Sequence, residues 1–291
     1  MNPRTATLIG LAAILMWSLL AVLTVATPAI PAFQLLAMTF AIGAAASLAA
    51  RPRAIRALRQ PPIAWAVGVG GLFGYHALYF LALRLAPPAE TGLINYLWPL
   101  LIVLLSALLP DEKLRAHHVV GALMGLAGTV LLLAGSAGAS VTSAHLAGFA
   151  AAFAAAFVWA GYSVMSRRLK AVPTDAVAGF CIATAVLATL VHLAAEPTVW
   201  PDRVATWLAV IALGVGPVGA AFFAWDIGMK RGDIRVLGAA SYATPLLSTG
   251  FLILAGYAAL SATIAVAAAL IACGGLIAAK DMIRPRAVTG S

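Results

Sequence analysis

The sequence predicts an all-α integral membrane protein with ten transmembrane helices in a 5+5 inverted-topology repeat. Three observations predict this fold class. Apolar stretches of about 20 residues, the length that crosses a bilayer as a helix, recur along all 291 residues. Lys and Arg cluster on every second connection between those stretches, and short motifs of the first half return in the second half.

The composition excludes a soluble protein. Hydrophobic residues make up 63% of the chain, charged residues 9%, and the mean hydropathy is +1.03, whereas soluble domains carry about 25% charged residues. The net charge of +9 lies in small separated clusters, so no stripe for nucleic acid is predicted. Cys181 and Cys273 fall in apolar segments and are expected to be small packing residues. No phosphate loop, metalloprotease or nucleophile motif is present, so neither an enzyme nor a metal or cofactor site is predicted.

Prolines, glycines and charge clusters divide the chain into ten predicted spans. These cover residues 5–26, 32–50, 62–83, 89–109, 114–134, 145–166, 174–194, 204–229, 236–255 and 260–283. With the N-terminus in the cytoplasm, all but Arg84 and Arg203 of the 18 Lys and Arg residues fall on the cytoplasmic side. The positive-inside rule therefore predicts that both termini are cytoplasmic.

Small residues recur at the spacing at which helix backbones approach closely. Examples are Gly70 with Gly74 and Gly121 with Gly125. Such pairs pack helices within one chain more often than between chains, so a monomer is expected.

An internal repeat divides the chain into halves at 1–138 and 139–291. Residues 95–101 align with 241–247 through their Tyr, Pro and two Leu residues, and a looser match aligns Trp17 with Trp159. Because each half holds five spans, the halves insert in opposite directions. Inverted repeats are typical of alternating-access carriers, whose substrate site lies near the bilayer midplane between the halves.

Matched prolines mark spans four and nine. Pro99 and Pro245 lack an N–H and should free the carbonyls of Asn95 and Ser241 from their helical partners. A carbonyl left unpaired in hydrocarbon costs several kcal/mol, so these helix breaks predict a hydrated cavity. The alternative is a pair of simple kinks, packed and dry.

Aromatic residues gather at mid-span depth, where Trp and Tyr are unusual. Buried hydroxyl and indole groups need partners, which a hydrated cavity supplies; for any one residue, an aromatic helix–helix core is the alternative. With the polar residues of the two breaks, the predicted substrate contacts are Trp17, His76, Tyr79, Asn95, Tyr96, Trp98, Trp159, Tyr162, Phe222, Ser241 and Tyr242. Tyr75 belongs to the same aromatic group.

Ionisable residues are scarce within the spans. His76 is the one histidine at mid-span depth, and it could bind a carboxylate or amine, take up a proton, or simply pack against a neighbouring helix. Asp226 precedes Lys230 by one turn and is expected to form an ion pair near the inner surface. With so few acids, downhill transport is expected.

These features together resemble a known superfamily. The ten spans, the prolines of spans four and nine, Asp111-Glu112 at the inner end of span four and the Gly-rich span five resemble the drug/metabolite transporter superfamily of the EamA type. The aromatic set is similar to that of the YddG-type aromatic amino acid exporters of bacterial inner membranes. That resemblance implies a multi-pass inner-membrane protein that exports aromatic and other apolar amino acids, such as phenylalanine, tyrosine and tryptophan, with threonine, methionine and flat cationic drugs as further candidate substrates. One departure is Ala255-Gly256-Tyr257, which stands where a second acidic pair would lie.

The sequence thus predicts an exporter whose partners are an amino acid or small amphipathic substrate and the lipid bilayer. One alternative is a multidrug or quaternary-cation exporter, because aromatic faces also bind cations. Another is a lipid scramblase or flippase, or a noncatalytic membrane partner of an enzyme.

Overall fold

A computed structural model describes residues 1–110, 112–134, 142–256 and 261–283 of the chain. Within these residues all regular structure is helical, and nine helices are long and apolar enough to cross a membrane. They are α1 Pro3–Thr24, α2 Ala32–Ala50, α3 Pro62–Leu85, α4 Glu90–Leu108, α5 Ala116–Ala134, α6 Ser143–Arg168, α7 Thr174–Ala195, α8 Val204–Arg231 and α9 Ile234–Leu254. A shorter apolar helix, α10, covers Ala262–Ala278, and a single turn, Lys280–Ile283, follows it.

The structure confirms the all-helical membrane class predicted from the sequence. Nine predicted spans coincide with α1 to α9 to within a few residues, whereas the tenth, predicted at 260–283, is divided between α10 and the last turn. Four parts of the sequence prediction lie outside the described residues: the boundary between the halves at 138 and 139, Asp111, Tyr257, and the last two basic residues, Arg284 and Arg286.

Four of the long helices change their geometry near the middle. Helices α4 and α9 break into Pro88–Asn95 and Trp98–Leu105, and into Ile234–Ala240 and Ala243–Leu254. In each, the proline follows the break and occupies the first turn of the second segment, where its missing N–H costs no hydrogen bond. Helices α3 and α8 contain π-helical segments at Gly70–Gly74 and Gly214–Ala220. Such segments often mark functional sites.

Helix packing surrounds a central aromatic cluster. The closest partners are α5 with α10, α2 with α7, α1 with α8, and α3 with α6. Between α2 and α8 a Cβ added to Gly43 would lie 3.0 Å from the Gly219 Cα, and between α5 and α10 one added to Gly121 would lie 2.5 Å from the Gly274 carbonyl oxygen. Because a side chain would clash at both places, these glycines let the backbones touch within the chain.

The predicted close packing is present at one of the two glycine pairs and absent at the other. Gly121 and Gly125 both pack tightly, but in α3 the close contacts are made by Gly68, against the Phe180 ring, and by Gly71, against the Tyr162 ring, and not by Gly70 or Gly74. Cys181 is buried in the core, as expected of a packing residue, whereas Cys273 lies on the exposed face of α10.

Candidate functional site

A cavity of about 270 Å³ lies among α1, α3, α4, α6, α8 and α9. It is bounded by the second half of α1 and of α3, the break of α4, and the segment of α9 that follows its own break. Twelve side chains line it: Trp17, Leu20, Tyr75, His76, Tyr79, Asn95, Tyr96, Trp98, Trp159, Phe222, Thr244 and Ser248. Seven of them are Trp, Tyr or Phe, so most of the wall is made of ring faces and edges.

Three tryptophans and a phenylalanine form the floor of the cavity. The rings of Trp17 and Trp159 meet edge to face with their centroids 5.5 Å apart, and the Phe222 ring lies 5.8 Å from that of Trp159. The Trp98 ring meets Trp159 edge to face at 6.2 Å. Below them the fully buried Trp225 contacts Trp17, with centroids 5.1 Å apart. Each such pair contributes about 0.5 to 1.5 kcal/mol beyond burial, so these contacts stabilise the packing of the floor.

The π segment of α8 fixes the position of one floor residue. The indole N–H of Trp17 donates a hydrogen bond to the Pro217 carbonyl at 2.9 Å, although the two residues are 200 positions apart. This bond satisfies the buried indole donor and orients the Trp17 ring towards the cavity. The sequence signal for the partner is Pro217 itself, which lies inside a predicted span.

The opposite wall is polar. The Asn95 amide donates to the Tyr75 hydroxyl at 3.0 Å, and Tyr75 stacks on Tyr79 with centroids 6.0 Å apart. Among the described residues, the Asn95 Oδ1 and the Thr244 Oγ1 are buried without a hydrogen-bond partner. Unpaired buried polar atoms are rare and call for an explanation; here both belong to residues that line the cavity.

His76 presents one ring nitrogen for further bonding. Its Nδ1 lies 2.6 Å from the Leu72 carbonyl oxygen. Because a carbonyl only accepts, the Nδ1 carries the proton and donates, and in the neutral ring the Nε2 is an acceptor. The ring edge also meets Phe40, with centroids 5.5 Å apart. His76 is therefore held in place and keeps one acceptor atom.

Three of the predicted substrate contacts do not line the cavity. Ser241 is fully buried, and its hydroxyl donates a hydrogen bond to the Leu237 carbonyl at 2.7 Å. The backbone carbonyl of Ser241 was predicted to be free, but it accepts a hydrogen bond from the Thr244 N–H at 3.0 Å. The Tyr242 hydroxyl accepts the backbone N–H of Leu100 at 3.1 Å. Tyr162 lies below the floor, beside Ser166. The other eight predicted contacts line the cavity together.

Sequence reasoning missed Leu20, Thr244 and Ser248. Thr244 and Ser248 are one turn apart and, with Ser241 before them, form a polar stripe at helical spacing on α9. That stripe in an otherwise apolar span was the available signal. No comparable signal identified Leu20, since leucine is common on every face of a membrane helix.

Ion pairs join helix ends below the floor. Glu112, which follows α4, pairs with Arg167 of α6 at 2.6 Å and with Arg235 of α9 at 3.3 Å. Arg167 also donates to the Gly232 carbonyl at 2.8 Å. The Glu112 side chain is only 6% exposed, so its carboxylate is held between two guanidinium groups. We call Glu112, Arg167 and Arg235 the Glu112 cluster.

A second carboxylate joins the opposite ends of other helices. Glu196, which follows α7, pairs with Arg84 of α3 at 3.0 Å. It also accepts the backbone N–H groups of Phe33 and Gln34 at the start of α2. A carboxylate at a helix N-terminus satisfies orphan donors and is favoured by the helix dipole, so this contact fixes α2, α3 and α7 together.

Comparison with known proteins identifies the family. The EamA-like transporter family matches residues 4–134 and 146–279, which is most of the chain. The chain belongs to the EamA-like transporter family. This confirms the resemblance found in the sequence, and because the family consists of transporters, it also agrees with the prediction that the protein is not an enzyme.

Curated relatives and a solved structure resemble this EamA-like transporter. The aromatic amino acid exporter YddG of Ancylobacter novellus is 58% identical over 263 residues, covering 89% of this chain and 91% of that protein. The exporter of the same name from Escherichia coli K12 is 28% identical over 86% of this chain and 88% of that protein. A solved structure described only as the crystal structure of a protein has a TM-score of 0.94 and 56% identity, and covers 98% of this chain and 100% of that chain.

One group of side chains in this EamA-like transporter has the spacing of metal ligands. His117, His118 and Asp281 place one ligand atom each within 4.8 Å of one another. Arg115 is ion-paired with Asp281, however, and its backbone N–H donates to the His118 Nδ1 at 3.1 Å. Because the Asp281 carboxylate already pairs with Arg115 and the His118 Nδ1 already accepts a hydrogen bond, we assign no metal to the group.

Proposed function

We propose that this EamA-like transporter exports aromatic and other apolar amino acids across the bacterial inner membrane by alternating access. The observation that carries the proposal is the ring-lined cavity with unpaired polar atoms on one wall. The Ancylobacter novellus and Escherichia coli relatives, named as aromatic amino acid exporters, support the substrate class.

Paired helix contacts support two inverted halves of five spans each, with α10 as the tenth span. In such a repeat α1 to α5 correspond in order to α6 to α10. The contact between α1 and α8 then corresponds to the contact between α6 and α3. In the same way the contact between α2 and α8 corresponds to the contact between α7 and α3. Helices α5 and α10, and α2 and α7, each pack against their own counterparts. The breaks of α4 and α9 and the π segments of α3 and α8 also fall in corresponding helices.

Charge distribution supports cytoplasmic termini. In that orientation the second half of α1 and of α3 and the first half of α4 lie towards the outside, and these segments bound the cavity. The Glu112 cluster then lies on the cytoplasmic side. The conformation described here is thus open towards the outside and closed towards the cytoplasm by the tryptophan floor and the Glu112 cluster.

The cavity lining suits a neutral zwitterion with a flat side chain. Ring faces would enclose the side chain, while the Asn95 Oδ1 and the His76 Nε2 could accept from the ammonium group and the Thr244 hydroxyl could donate to the carboxylate. Apart from His76, no lining residue is ionisable near neutral pH. A substrate without net charge therefore requires no compensating charge on the wall. We also propose that the substrate moves down its own concentration gradient and that the protein works as a monomer.

Reconstitution tests the proposal directly. Proteoliposomes loaded with radiolabelled phenylalanine should release it faster than protein-free liposomes loaded in the same way. Trp159→Ala should lower that rate about tenfold, because it removes from the cavity wall a ring that would contact the substrate side chain. Trp207→Ala is the matched control, since Trp207 is an exposed tryptophan that stacks on Trp200 away from the cavity.

Each alternative has its own outcome in the same system. Absence of protein-dependent phenylalanine flux in either direction would reject the proposal. Transport of a viologen dye without amino acid flux would instead indicate a cation exporter. Flux that is unchanged by a pH gradient would support downhill transport, whereas flux driven by the gradient would assign proton uptake to the protein.

A further inference from the structure

The cavity-facing sides of α6 and α8 continue below the floor into a polar pocket. On α8, Phe222 lines the cavity, and Asp226 and Lys230 follow it at intervals of four, on the same face of the helix. On α6, Trp159 lines the cavity and Tyr162 follows it by three residues. Asp226, Lys230 and Tyr162 meet beside a void of about 10 Å³, which is room for about one water molecule.

Asp226 and Lys230 form a nearly inaccessible ion pair. Their charged atoms are 2.8 Å apart, and the side chains are 2% and 5% exposed. The Thr174 hydroxyl donates to the Asp226 carboxylate at 2.7 Å, and the Lys230 ammonium donates to the Val172 carbonyl at 2.8 Å. The sequence predicted this ion pair but not its burial beside Tyr162 of α6, Val172 of the loop between α6 and α7, and Phe180 of α7.

A buried ion pair of this kind is poorly explained by stability. Removing two charges from water costs several kcal/mol per ion, and well-packed apolar residues in their place are often as stable. Ionisable residues within membrane spans are, for the same reason, usually functional. The Tyr162 hydroxyl adds a second observation: it is buried beside the pair and has no hydrogen-bond partner among the described residues.

We propose that Asp226, Lys230 and Tyr162 form a binding site for the ammonium and carboxylate groups of an amino acid that enters from the cytoplasmic side. This inference rests on the proposed function. When the cytoplasmic side opens, the Asp226 carboxylate exchanges Lys230 for the substrate ammonium, and the Lys230 ammonium and Tyr162 hydroxyl bind the substrate carboxylate. One ion pair is replaced by two, so neither protein charge is left buried and unpaired.

The site complements the main cavity. The cavity lining contains no fixed charge, so of the two sites it is this second one that offers an ionic partner for each charge of a zwitterion. The entering amino acid is recognised at this site by its charged groups. It is then recognised by its side chain at the aromatic floor, which lies one helical turn closer to the N-terminus of α8. Release to the outside is from a site without fixed charges, which favours dissociation in that direction.

Sided transport measurements test the inference. Inside-out membrane vesicles present the cytoplasmic face and right-side-out vesicles the outer face, and the KM for phenylalanine is measured in both. The double variant D226N/K230M should raise the cytoplasmic-face KM about tenfold or more and leave the outer-face KM within about twofold. It should also lose the preference of the cytoplasmic face for phenylalanine over 3-phenylpropionate, which lacks the ammonium group.

Control variants separate binding from structure. Asp175→Asn removes a carboxylate next to Thr174 whose exposed partner is Arg51 at 3.0 Å, and it should leave both KM values unchanged. Tyr162→Phe removes only the unpartnered hydroxyl and keeps the ring packing, so it reports on the site even if the double variant does not fold. It should raise the cytoplasmic-face KM alone, about threefold or more.

Two results would overturn the inference while leaving the proposed function intact. One is a folded double variant, or Tyr162→Phe, with a wild-type KM at the cytoplasmic face. The other is an equal change at both faces, which indicates a purely structural ion pair. A wild-type protein that moves no phenylalanine in either vesicle would reject the proposed function itself, and the inference with it.

Discussion

The hydroxyl of Tyr242 on α9 accepts a hydrogen bond from the backbone N–H of Leu100 on α4 at 3.1 Å. In an unbroken helix that N–H would donate to the carbonyl of Tyr96, four residues earlier. A side chain at the break of one helix therefore satisfies the backbone at the break of the other. Tyr96, which aligns with Tyr242 in the internal repeat, lines the cavity instead. Two residues with the same place in the repeat thus have different environments.

This difference predicts that the same Tyr→Phe substitution affects stability at one position and transport at the other. Tyr242→Phe leaves the buried Leu100 N–H without a partner and should lower the stability of the purified protein by about 1 to 3 kcal/mol. Tyr96→Phe removes a hydroxyl that faces the cavity and should leave stability nearly unchanged while altering phenylalanine flux. Thermal unfolding in detergent and flux in proteoliposomes, measured on both variants, provide the comparison. Equal loss of stability in the two variants would contradict the assignment.

The contrast between Tyr96 and Tyr242 also shows which features of the site the sequence alone could not predict. Hydropathy and charge predicted the helices, because crossing a bilayer constrains length and polarity directly. The repeat predicted the breaks in α4 and α9, because a proline at this position acts on its own backbone. It could not predict which tyrosine faces the cavity. That depends on how the neighbouring helices pack around each break, which the matching sequence positions do not encode.

The same limit applies to the charged residues. The sequence predicted the Asp226–Lys230 pair from its spacing, but its burial depends on contacts with Val172, in the loop before α7, and with Thr174, the first residue of α7, which no local pattern encodes. Likewise the Trp17 indole was predicted to need a partner, but the partner, the Pro217 carbonyl, lies in the other half of the chain.

Thr244 provides a second prediction. Its hydroxyl is buried without a partner among the described residues and belongs to the cavity wall. Thr244→Val keeps the shape and removes the donor, so the KM for phenylalanine should rise about tenfold, the cost of a hydrogen bond to a charged group. Thr184→Val is the matched control, because the Thr184 hydroxyl is also buried and unpartnered but lies on α7, outside the cavity lining. A similar KM change in both variants would count against Thr244 as a substrate contact.

The Glu112 cluster provides a third prediction. Glu112→Gln removes the charge that holds Arg167 and Arg235 together, so, under the proposed orientation and alternating-access mechanism, the cytoplasmic side should open more often. A cysteine placed at the buried Ser166, in a background that lacks Cys181 and Cys273, reports that opening through its labelling by a thiol reagent added at the cytoplasmic face. Labelling should be about tenfold faster in Glu112→Gln, which corresponds to a shift of about 1.4 kcal/mol between the two states.

A control from the same face of the membrane distinguishes opening from a general loss of structure. Asp175→Asn breaks the exposed ion pair with Arg51, which includes no member of the Glu112 cluster, and should leave the labelling rate of the Ser166→Cys reporter unchanged. If both substitutions accelerate labelling to the same extent, the ion pairs stabilise the protein as a whole and do not close one side of it.

Asp233 lies immediately before α9 and caps its N-terminus, and it pairs with Arg235 of the Glu112 cluster. Its carboxylate accepts the backbone N–H groups of Arg235 and Val236 at 3.0 and 3.3 Å and pairs with the Arg235 Nε at 3.1 Å. Burial alone would raise the pKa of Asp233, but the hydrogen bonds and the positive charge of Arg235 outweigh it and hold the pKa below its ordinary value. The ionised carboxylate is therefore favoured in the folded protein.

This lowered pKa predicts how stability depends on pH. A carboxylate whose pKa is lower in the folded state stabilises the protein above its unfolded-state pKa, and that contribution is lost as the pH falls through the folded-state pKa. Asp233→Ala, which also loses the helix cap, should cost about 0.5 to 2 kcal/mol at neutral pH, and Asp233→Asn should cost less because its amide oxygen still caps the helix. In thermal unfolding measured from pH 7 downwards, the difference between wild type and Asp233→Asn should be constant to about pH 4 and shrink below it. A difference that persists undiminished in acid would show that Asp233 stabilises α9 through its shape and hydrogen bonds and not through its charge.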